Sequence, residues 1–479
     1  MRNTKIIATV GPACGHKESL GTLLREGVDV VRINASHTNP EGLRKWIHLI
    51  RQASRWAGKE AAIMVDLQGP RIRTGKLKDK KPLQLKTGDT IFIAPGNGLG
   101  EGNVVTTPCR EFPLMVKAGD HVMLDNGVIE IQIQGQERGR FRALVVVGGE
   151  LGENKGINIP NAPITLPALT PKDKADLAAA MDEDVDFIAL SFVRSEQDLI
   201  TAKKWMEKNG KQIPIIAKIE KPSAVKNINA ILKVADGIMV ARGDLGIEMG
   251  VEKVPVIQKQ LIESANQMRI PVITATQMLE TMIKQFRPTR AEASDIANAV
   301  YDGTDAVMLS GETAVGQYPL ECVRVMSSVI LEAENDISLS RPATDLQVQG
   351  LSLYTRSEDA AVNAITMAAR NAAVALHASA IVVFTISGKT AVAVSKLKPN
   401  IPIIAVVPLA RIARHLAIFR GIRTVTVNYA KSTEQMLRQG DQAIVKAGLL
   451  EDGDPVVIVS GKQGLPSARY MTKIHRIDV

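Results

Sequence analysis

The sequence predicts an α/β protein built on an eight-stranded parallel barrel, and two patterns support this fold class. Short runs of Ile, Val, Ala and Leu recur along the chain, and helix-like segments separate them. Continuous apolar runs without alternation are typical of parallel strands that are buried on both faces. Eight such strands with their helices close into a (β/α)8 TIM barrel. The eight runs begin at Lys5, Asp29, Ala62, Asp186, Pro214, Gly237, Pro271 and Ala306.

The strand–helix rhythm is interrupted between residues 71 and 166. Turn or hairpin signals occur there at Thr87-Gly-Asp89, Ala118-Gly-Asp120 and Asp125-Asn-Gly127, and the residues from Gly127 to Ile133 alternate with a period of two. We therefore expect a small all-β domain, a β-barrel lid, inserted after the third barrel strand. A lid is its natural role because the insert leaves from the face where barrels keep their active sites.

A third segment follows a polar connector. Ala380–Phe384, Pro402–Val407 and Pro455–Val459 read as parallel strands between helices, so we expect a small C-terminal α/β domain. The predicted division is a discontinuous barrel over residues 1–70 and 167–340, a lid over 71–166 and the C-terminal domain over 341–479.

Composition argues against two classes of partner. Aromatic residues make up 3% of the chain, whereas base-stacking nucleic-acid modules need aromatic platforms. The net charge of +9 fits a cationic surface or a positive field around a cleft for phosphorylated anions. Nucleic-acid binding is a third interpretation, but there is no basic run of five or more residues, so we expect no nucleic-acid partner. No run approaches the roughly 18–20 apolar residues that span a bilayer, so we expect no membrane partner either.

The three cysteines favour a reducing compartment. Cys14, Cys109 and Cys322 are far apart in sequence and form no CxxC motif, which is typical of free thiols. The chain runs directly into an apparent strand at Lys5 without a charged leader and an apolar segment, so we expect no signal peptide. Together these features predict a cytoplasmic protein.

Charged residues follow the predicted barrel strands at their carboxyl ends, where a barrel keeps its catalytic groups. Lys218 and Glu220 are two residues apart on one strand, so their side chains point the same way, either as a structural ion pair or as functional groups. Glu220 and Asp244 together offer the hard oxygen ligands that Mg²⁺ shares with substrate and water, although Asp244 alone could cap a loop. Gly243 and Gly246 would let the backbone approach an anion closely.

A second polar group surrounds the end of the second predicted strand. Arg32 could bind a phosphate or pair with a surface acid, and Asn34 and Ser36 alternate onto the same face. Asp66, on the next strand, adds a carboxylate. This oxygen-rich pocket suits a monovalent cation or a phosphate network. With the residues of the other strand ends, it favours a phosphoryl-transfer site.

These segments resemble the motifs of the pyruvate kinase family. The resemblance covers the barrel and the edges of the insert in family order, whereas the C-terminal segment matches in layout more than in sequence. It implies transfer of a phosphoryl group from phosphoenolpyruvate to ADP, which gives pyruvate and ATP in the last step of glycolysis. The matching segments are Thr4-Lys-Ile, Gly11-Pro12, Arg32-Ile-Asn-Ala-Ser-His37, Asp66-Leu-Gln-Gly-Pro-Arg-Ile-Arg-Thr74, Lys155-Gly-Ile-Asn158, Ile216–Glu220, Met239–Gly246, Thr274–Glu280, Arg287–Glu292 and Met308–Thr313.

The resemblance also implies roles for individual residues. Arg32 and Lys218 would hold the transferring phosphoryl group, and Lys218 would stabilise charge in the transition state. Glu220 and Asp244 would bind Mg²⁺ or Mn²⁺.

For the rest of the substrates, the resemblance implies that the backbone at Gly243 and Asp244, with Thr276, holds the substrate carboxylate. The enolate would be protonated through a water near Thr276 or Ser310. The implied nucleotide contacts are Asn34, His37, Arg73 and Lys155.

One departure concerns the monovalent cation. Potassium-dependent members carry Thr-Lys-Gly-Pro-Glu where this chain has Leu67-Gln-Gly-Pro-Arg71, and potassium-independent members have Leu, Gln and Lys. Arg71 puts a fixed positive charge beside the expected cation pocket, so we predict that it substitutes for K⁺ and that K⁺ is not required. Weak K⁺ binding stays open because Asn34, Ser36 and Asp66 remain. The expected pocket consists of these three residues and Leu67.

The C-terminal domain carries a candidate regulatory site. A predicted strand leads through Thr385-Ile-Ser-Gly-Lys-Thr390 into a helix, and such a nest can bind an anion, although an ordinary N-cap turn is the alternative. The resemblance implies an allosteric enzyme whose effector phosphate binds Thr385, Ser387, Gly388, Lys389 and Thr390, with the loop Ser460-Gly-Lys-Gln-Gly464 as a cover. It also implies a homotetramer with Arg290 near a subunit interface.

Two other functions compete with this interpretation. Another barrel enzyme of phosphoenolpyruvate chemistry would share the Mg²⁺ carboxylates, but it would need neither the β insert nor the nucleotide contacts. A phosphometabolite sensor or RNA-binding protein that kept the fold would have lost catalytic residues that this chain retains. An assay for pyruvate formation with ADP and Mg²⁺ discriminates among the three.

Overall fold

A computed structural model describes residues 2–160, 166–340, 357–429, 432–461 and 470–479. The chain begins with alternating strands and helices. The side chain of Asn39 caps the second helix by accepting a hydrogen bond from the Gly42 N–H at 2.9 Å, and Gly58 ends that helix in the left-handed region (φ 68°). These first elements are β1 (Lys5–Thr9), α1 (Lys17–Arg25), β2 (Val28–Asn34), α2 (Pro40–Ala57) and β3 (Ala62–Asp66).

The insert after β3 is all-β, as predicted. Asp125, Asn126 and Gly127 have φ values of 50°, 57° and 86° and form the expected hairpin turn. The strands form a six-stranded sheet in the order β11-β7-β8-β9-β5-β6 and a two-stranded sheet, β10-β4, around one shared apolar core. They are β4 (Leu83–Leu85), β5 (Thr90–Pro95), β6 (Val104–Thr107), β7 (His121–Leu124), β8 (Ile129–Glu137), β9 (Arg140–Val147), β10 (Gly149–Leu151) and β11 (Ile157–Asn158).

After the insert, the chain returns to strand–helix alternation. Thr170 begins the first of these helices and Thr289 begins a later one, each through a reciprocal capping box with the acidic residue three positions on. The elements are α3 (Pro171–Asp182), β12 (Phe187–Leu190), α4 (Glu196–Lys208), β13 (Ile215–Ile219), α5 (Pro222–Lys226), α6 (Ile228–Leu232), β14 (Gly237–Ala241), α7 (Arg242–Met249), α8 (Val254–Gln267), β15 (Val272–Ala275), α9 (Arg290–Asp302), β16 (Ala306–Leu309), α10 (Gly311–Ala314) and α11 (Pro319–Ser340).

The eight strands predicted from the apolar runs close into a parallel barrel, with the order β1-β16-β15-β14-β13-β12-β3-β2. Apolar side chains fill the interior, and a second cluster packs the outer faces of the strands against the helices. Burial on both faces explains why the runs are continuous rather than alternating. Interior members include Ile7, Met64, Ile216, Met239 and Met308.

The C-terminal segment forms the expected α/β domain. Its sheet has the order β19-β18-β17-β20-β21, in which β21 is antiparallel to β20 and the other pairs are parallel. The sequence analysis missed β19 and β21 because these edge strands mix charged with apolar residues. The elements are α12 (Ser357–Ala375), β17 (Ala380–Phe384), α13 (Lys389–Lys396), β18 (Ile403–Val407), α14 (Ala410–Leu416), β19 (Ile422–Thr426), α15 (Thr433–Lys446), β20 (Pro455–Ser460) and β21 (Met471–Arg476).

This domain packs against the amino-terminal end of the barrel. Ile418, just after α14, is fully buried and belongs to the same apolar cluster as the barrel interior. Around it, Lys396 pairs with Asp305 at 2.5 Å and Arg414 pairs with Asp186 at 2.8 Å, and each of these acids directly precedes a barrel strand. The C-terminal domain therefore forms the floor of the barrel.

Two further features concern the cysteines and the helices. Cys14, Cys109 and Cys322 are free thiols, as expected. Throughout the described residues, every helix is too short or too polar to cross a bilayer.

Candidate active site

A cavity of about 110 Å³ lies at the carboxyl ends of the barrel strands. It gathers residues from seven of the eight barrel strands, because closing a parallel barrel brings their carboxyl ends to one mouth. Lys218 and Asp244 line the same cavity, so a single small ligand can reach both. The predicted site residues that line it are Arg32, Asn34, Ser36, Asp66, Leu67, Arg71, Lys218, Glu220, Asp244 and Thr276.

Two cations and two carboxylates form a buried network in this cavity. Lys218 Nζ lies 2.8 Å from Glu220 Oε1 and 3.3 Å from Asp66 Oδ1. Arg32 Nε donates to Asp66 Oδ2 at 2.8 Å. The strand register supports this contact. Asn34 is paired with Asp66 across β2 and β3, and Arg32 lies two residues before Asn34 on the same face of β2. The Lys218–Glu220 ion pair considered from sequence therefore exists within the cavity.

Burial and charge act against each other on these groups. Burial alone would raise the pKa of Asp66, but the charges of Lys218 and Arg32 outweigh it and lower that pKa. Burial would lower the pKa of Lys218, but Asp66 and Glu220 outweigh it and raise that pKa. The Lys218 ammonium is therefore held charged, as a group that binds a phosphoryl oxygen must be.

The acidic pair has the chemistry of a divalent-metal site. Burial raises the pKa of Glu220, Lys218 lowers it, and the nearby Asp244 raises it further, so the net shift is upward. The charge of Asp244 thus disfavours ionisation of Glu220, and a bound divalent cation would offset that repulsion. Glu220 Oε2 is also fixed by the Phe192 N–H at 2.8 Å. These hard oxygen donors fit Mg²⁺ or Mn²⁺.

Asp244 lies in a helix rather than in a loop. It is in the first turn of α7, which begins directly after β14. The N–H groups of a first helical turn have no partner within the helix and favour an anion. Here the Gly243 N–H donates to Thr276 Oγ1 at 2.8 Å, and Thr276 is itself in the left-handed region (φ 69°). The arrangement therefore places Thr276 against the start of α7, where a carboxylate could bind.

Sequence analysis did not single out Arg242, whose hydrogen bonds support the backbone at the end of β15, next to Thr276. Its buried guanidinium donates to the carbonyl oxygens of Ala275 at 3.3 Å and Thr276 at 2.7 Å, and it pairs with Asp295 at 2.6 Å. An arginine between a buried strand and a helix was the available signal. Its partners come from two other elements, so the fold was needed to identify them.

Two further residues were missed at the opposite side of the cavity. Thr9 Oγ1 accepts a hydrogen bond from Arg32 Nη1 at 3.0 Å and so helps to orient that guanidinium. Ser191, just after β12, contacts Lys218 Nζ at 2.8 Å. A hydroxyl at a strand end carries no distinctive sequence signal.

The predicted nucleotide contacts are more dispersed. Asn34 lines the cavity, whereas His37, Arg73 and Lys155 lie outside its lining. Partial desolvation lowers the pKa of His37, whose side chain is exposed, and the charge of Arg73 adds to this effect. Lys155 Nζ pairs with Asp125 at 2.9 Å within the insert. Their roles toward a nucleotide stay predictions.

Arg71 reaches the insert and the acidic pair. Its Nη2 donates to Asn126 Oδ1 at 2.8 Å and lies 3.9 Å from Asp244 Oδ1. The Asp66 carboxylate is instead neutralised by Arg32 and Lys218. Arg71 therefore shares the cavity with the expected K⁺ pocket, and its substitution for K⁺ stays a prediction.

Ser310, a candidate for the proton path, does not line the cavity. Its N–H donates to Glu312 Oε2 at 2.6 Å. Its hydroxyl is buried and has no hydrogen-bond partner among the described residues.

The candidate effector loop connects β17 to α13, and its binding of an effector stays a prediction. Thr385 Oγ1 accepts a hydrogen bond from the Gly388 N–H at 3.0 Å, and Gly388 (φ 83°) begins α13 in the left-handed region. Ser387 and Lys389 are exposed, whereas Thr385 and Thr390 are buried. The proposed cover lies mostly outside the described residues, which include only Ser460 and Gly461 of that loop.

Comparisons with known proteins agree with this geometry. The family model "Pyruvate kinase, barrel domain" matches residues 1–323, and "Pyruvate kinase, alpha/beta domain" matches residues 363–475. The pyruvate kinase of Geobacillus stearothermophilus is 40% identical over an alignment of 482 positions that covers 100% of this chain and 81% of that protein. That of Mycobacterium intracellulare is 39% identical over 99% of this chain and 98% of its own.

Solved structures give the same result. The crystal structure of a pyruvate kinase from Cryptosporidium parvum superimposes with a TM-score of 0.91 at 36% identity, covering 99% of this chain and 96% of that one. The match includes both the barrel and the C-terminal α/β domain. The chain therefore belongs to the pyruvate kinase family, the phosphotransferases that form pyruvate and ATP from phosphoenolpyruvate and ADP.

Proposed function

We propose that the 110 Å³ cavity is the phosphoryl-transfer site, in which Arg32 and Lys218 hold the phosphoryl group of phosphoenolpyruvate. The observation that carries the proposal is the convergence of these two cations with Glu220 and Asp244 on one cavity. Phosphoryl transfer depends on positioning and charge neutralisation rather than on a covalent intermediate, and buried fixed charges provide both. Lys218 also stabilises the negative charge that develops on the enolate.

Glu220 and Asp244 would hold Mg²⁺ or Mn²⁺. When bound, the ion supplies positive charge to the substrate oxygens. Titration of Mn²⁺ followed by electron paramagnetic resonance tests this assignment without an activity assay. Glu220→Gln should weaken Mn²⁺ binding, and unchanged binding would contradict the assignment.

The remaining substrate contacts follow the family's pattern. The start of α7 at Gly243 and Asp244, with Thr276, binds the substrate carboxylate. Protonation of the enolate proceeds through water near Thr276 or Ser310. Nucleotide contacts come from Asn34, His37, Arg73 and Lys155.

The assignment of Lys218 is tested by pyruvate formation with ADP and Mg²⁺. Lys218→Met should lower turnover by orders of magnitude, because the methionine keeps most of the stem and removes the ammonium group. The change also leaves the buried Glu220 and Asp66 without that charge, so it should cost about 3–5 kcal/mol of stability, and thermal melting checks that the variant is folded. Lys45→Met is the control, since Lys45 is 75% exposed and pairs with the equally exposed Glu41 on the helix surface. Full turnover by Lys218→Met would refute the role of Lys218.

We further propose that K⁺ is not required, because Arg71 supplies a fixed positive charge at the cavity. Rates measured with and without K⁺ test this directly, and a hundred-fold dependence would refute it. Arg71→Glu should create a K⁺ requirement, since it would reverse the charge beside Asp244 and the cation pocket.

Regulation and assembly complete the proposal. The enzyme acts in the cytoplasm as a homotetramer, with the exposed Arg290 near an interface and a phosphorylated effector at Thr385–Thr390. The proposed boundaries between barrel, lid and regulatory domain are at residues 70/71, 166/167 and 340/341. Light scattering tests the tetramer. Activation or inhibition by sugar phosphates, lost in Lys389→Ala, tests the effector site.

A further inference from the structure

Ser191 lies between the end of β3 and the ammonium group of Lys218. It is 3% exposed and lines the active-site cavity. Its Oγ accepts a hydrogen bond from Lys218 Nζ at 2.8 Å and donates one to the Leu67 carbonyl oxygen, also at 2.8 Å. We propose that Ser191 is a positioning residue that fixes the Lys218 ammonium for phosphoryl transfer.

The direction of the hydroxyl is set by its surroundings. A serine hydroxyl has one proton, and the Leu67 carbonyl at 2.8 Å is a closer acceptor than Asp66 Oδ1 at 3.3 Å. The proton therefore points to Leu67, and an oxygen lone pair faces Lys218. The loop after β3 packs tightly here, because a Cβ atom added to Gly69 would lie 2.9 Å from Ser191 Cβ. Ser191 thus links the Lys218 ammonium to the backbone of this loop through two hydrogen bonds.

Ser191 differs from the other two acceptors around Lys218 because it is neutral. Glu220 is also the proposed metal ligand, and Asp66 already accepts a hydrogen bond from Arg32. A cation that binds either carboxylate weakens the attraction between that carboxylate and the Lys218 ammonium. Ser191 carries no charge that a cation would compete for, so it keeps its contact with Lys218 when the site is loaded.

Such an anchor matters because a lysine stem has four flexible carbons. A displacement of about 1 Å at a reacting centre can lower a rate by roughly a hundred-fold. Lys218 is proposed to act on charge that develops in the transition state, so loosening it should lower kcat more than it raises KM. The inference rests on the proposed role of Lys218.

The test compares Ser191→Ala with Ser191→Cys. Alanine removes the hydroxyl, and cysteine replaces it with a slightly larger group that is a weak acceptor. Both variants should lower kcat by about 10- to 100-fold, the effect of losing a hydrogen bond to a charged group, with KM for phosphoenolpyruvate within about threefold of the parent. Thermal melting of each variant shows whether it is folded.

Ser395→Ala is the matched control. The Ser395 hydroxyl is also buried and also donates to a backbone carbonyl, that of Arg420 at 2.6 Å, but it lies in the C-terminal domain. It should lose stability and keep kcat. A kcat of Ser191→Ala or Ser191→Cys within threefold of the parent would overturn the inference, and so would an equal loss of kcat in Ser395→Ala. If Lys218→Met retains turnover, the proposed role of Lys218 itself fails.

Discussion

The ion pair between Lys396 and Asp305 should hold the C-terminal domain on the barrel. Both side chains are 3% exposed, and their charged atoms are 2.5 Å apart. Removing one partner of a buried pair costs about 3–5 kcal/mol, because the other charge is left without compensation. Asp305 would keep the N–H of Val272 at 2.9 Å and that of Arg420 at 3.3 Å. We therefore expect Lys396→Met to cost about 3 kcal/mol, at the low end of that range.

The assay is denaturant unfolding, read as the midpoint of the first transition because a multidomain chain need not unfold in one step. Lys45→Met, which breaks an ion pair whose side chains are 75% and 76% exposed, should leave the midpoint unchanged, because exposed pairs contribute little to stability. The double variant Lys396→Met/Asp305→Asn should cost less than the sum of its single changes. If Lys396→Met is no more destabilising than Lys45→Met, the pair does not hold the domains together.

Three other changes have expected outcomes. Burial would raise the pKa of Asp29, but nearby cations outweigh it and lower the pKa from 3.8 to about 2. The stabilisation from the Asp29 carboxylate is therefore present above pH 4 and is lost as the pH falls toward 2. Acid titration should show the parent about 2 kcal/mol more stable than Asp29→Asn near pH 6 and equal to it near pH 2. Gly11→Ala should lower the free energy of unfolding by about 1–3 kcal/mol, because the new Cβ would lie 2.4 Å from the Ala314 carbonyl oxygen, whereas Gly135→Ala has open space and should not. Arg242→Lys keeps the charge but should lower kcat/KM for phosphoenolpyruvate by about tenfold or more, because a lysine cannot hydrogen-bond to two carbonyls and a carboxylate at once. An unchanged kcat/KM in steady-state kinetics would contradict this expectation.

The barrel could be predicted from sequence because its strands carry a strong and simple signal. Both faces of a strand such as Ile215–Ile219 are covered, so its apolar run is continuous. The edge strands Ile422–Thr426 and Met471–Arg476 lack that signal, because one side of each is exposed to solvent and polar residues are tolerated there.

The charged residues of the site were predictable for a related reason. Arg32, Lys218 and Glu220 end buried strands, where a charge is costly unless it has a function or a partner. Ser191 and Arg242 act through contacts with residues distant in sequence, and serine and arginine at element boundaries are common. Arg71 shows a third limit, because sequence places it near the cation pocket but cannot say that its guanidinium also reaches the turn of the insert at Asn126.

The barrel interior is completed by Ile418, a residue of the C-terminal domain. Its side chain belongs to the interior that Met239 and Met308 also fill, and those two methionines line the substrate cavity above. A fragment ending after α11 would admit water where a side chain from another domain now packs, so it should aggregate rather than behave as a free-standing module. A small shift of the C-terminal domain would therefore act on apolar side chains that continue from Ile418 to the lining of the cavity. This continuous packing connects the C-terminal domain to the candidate active site.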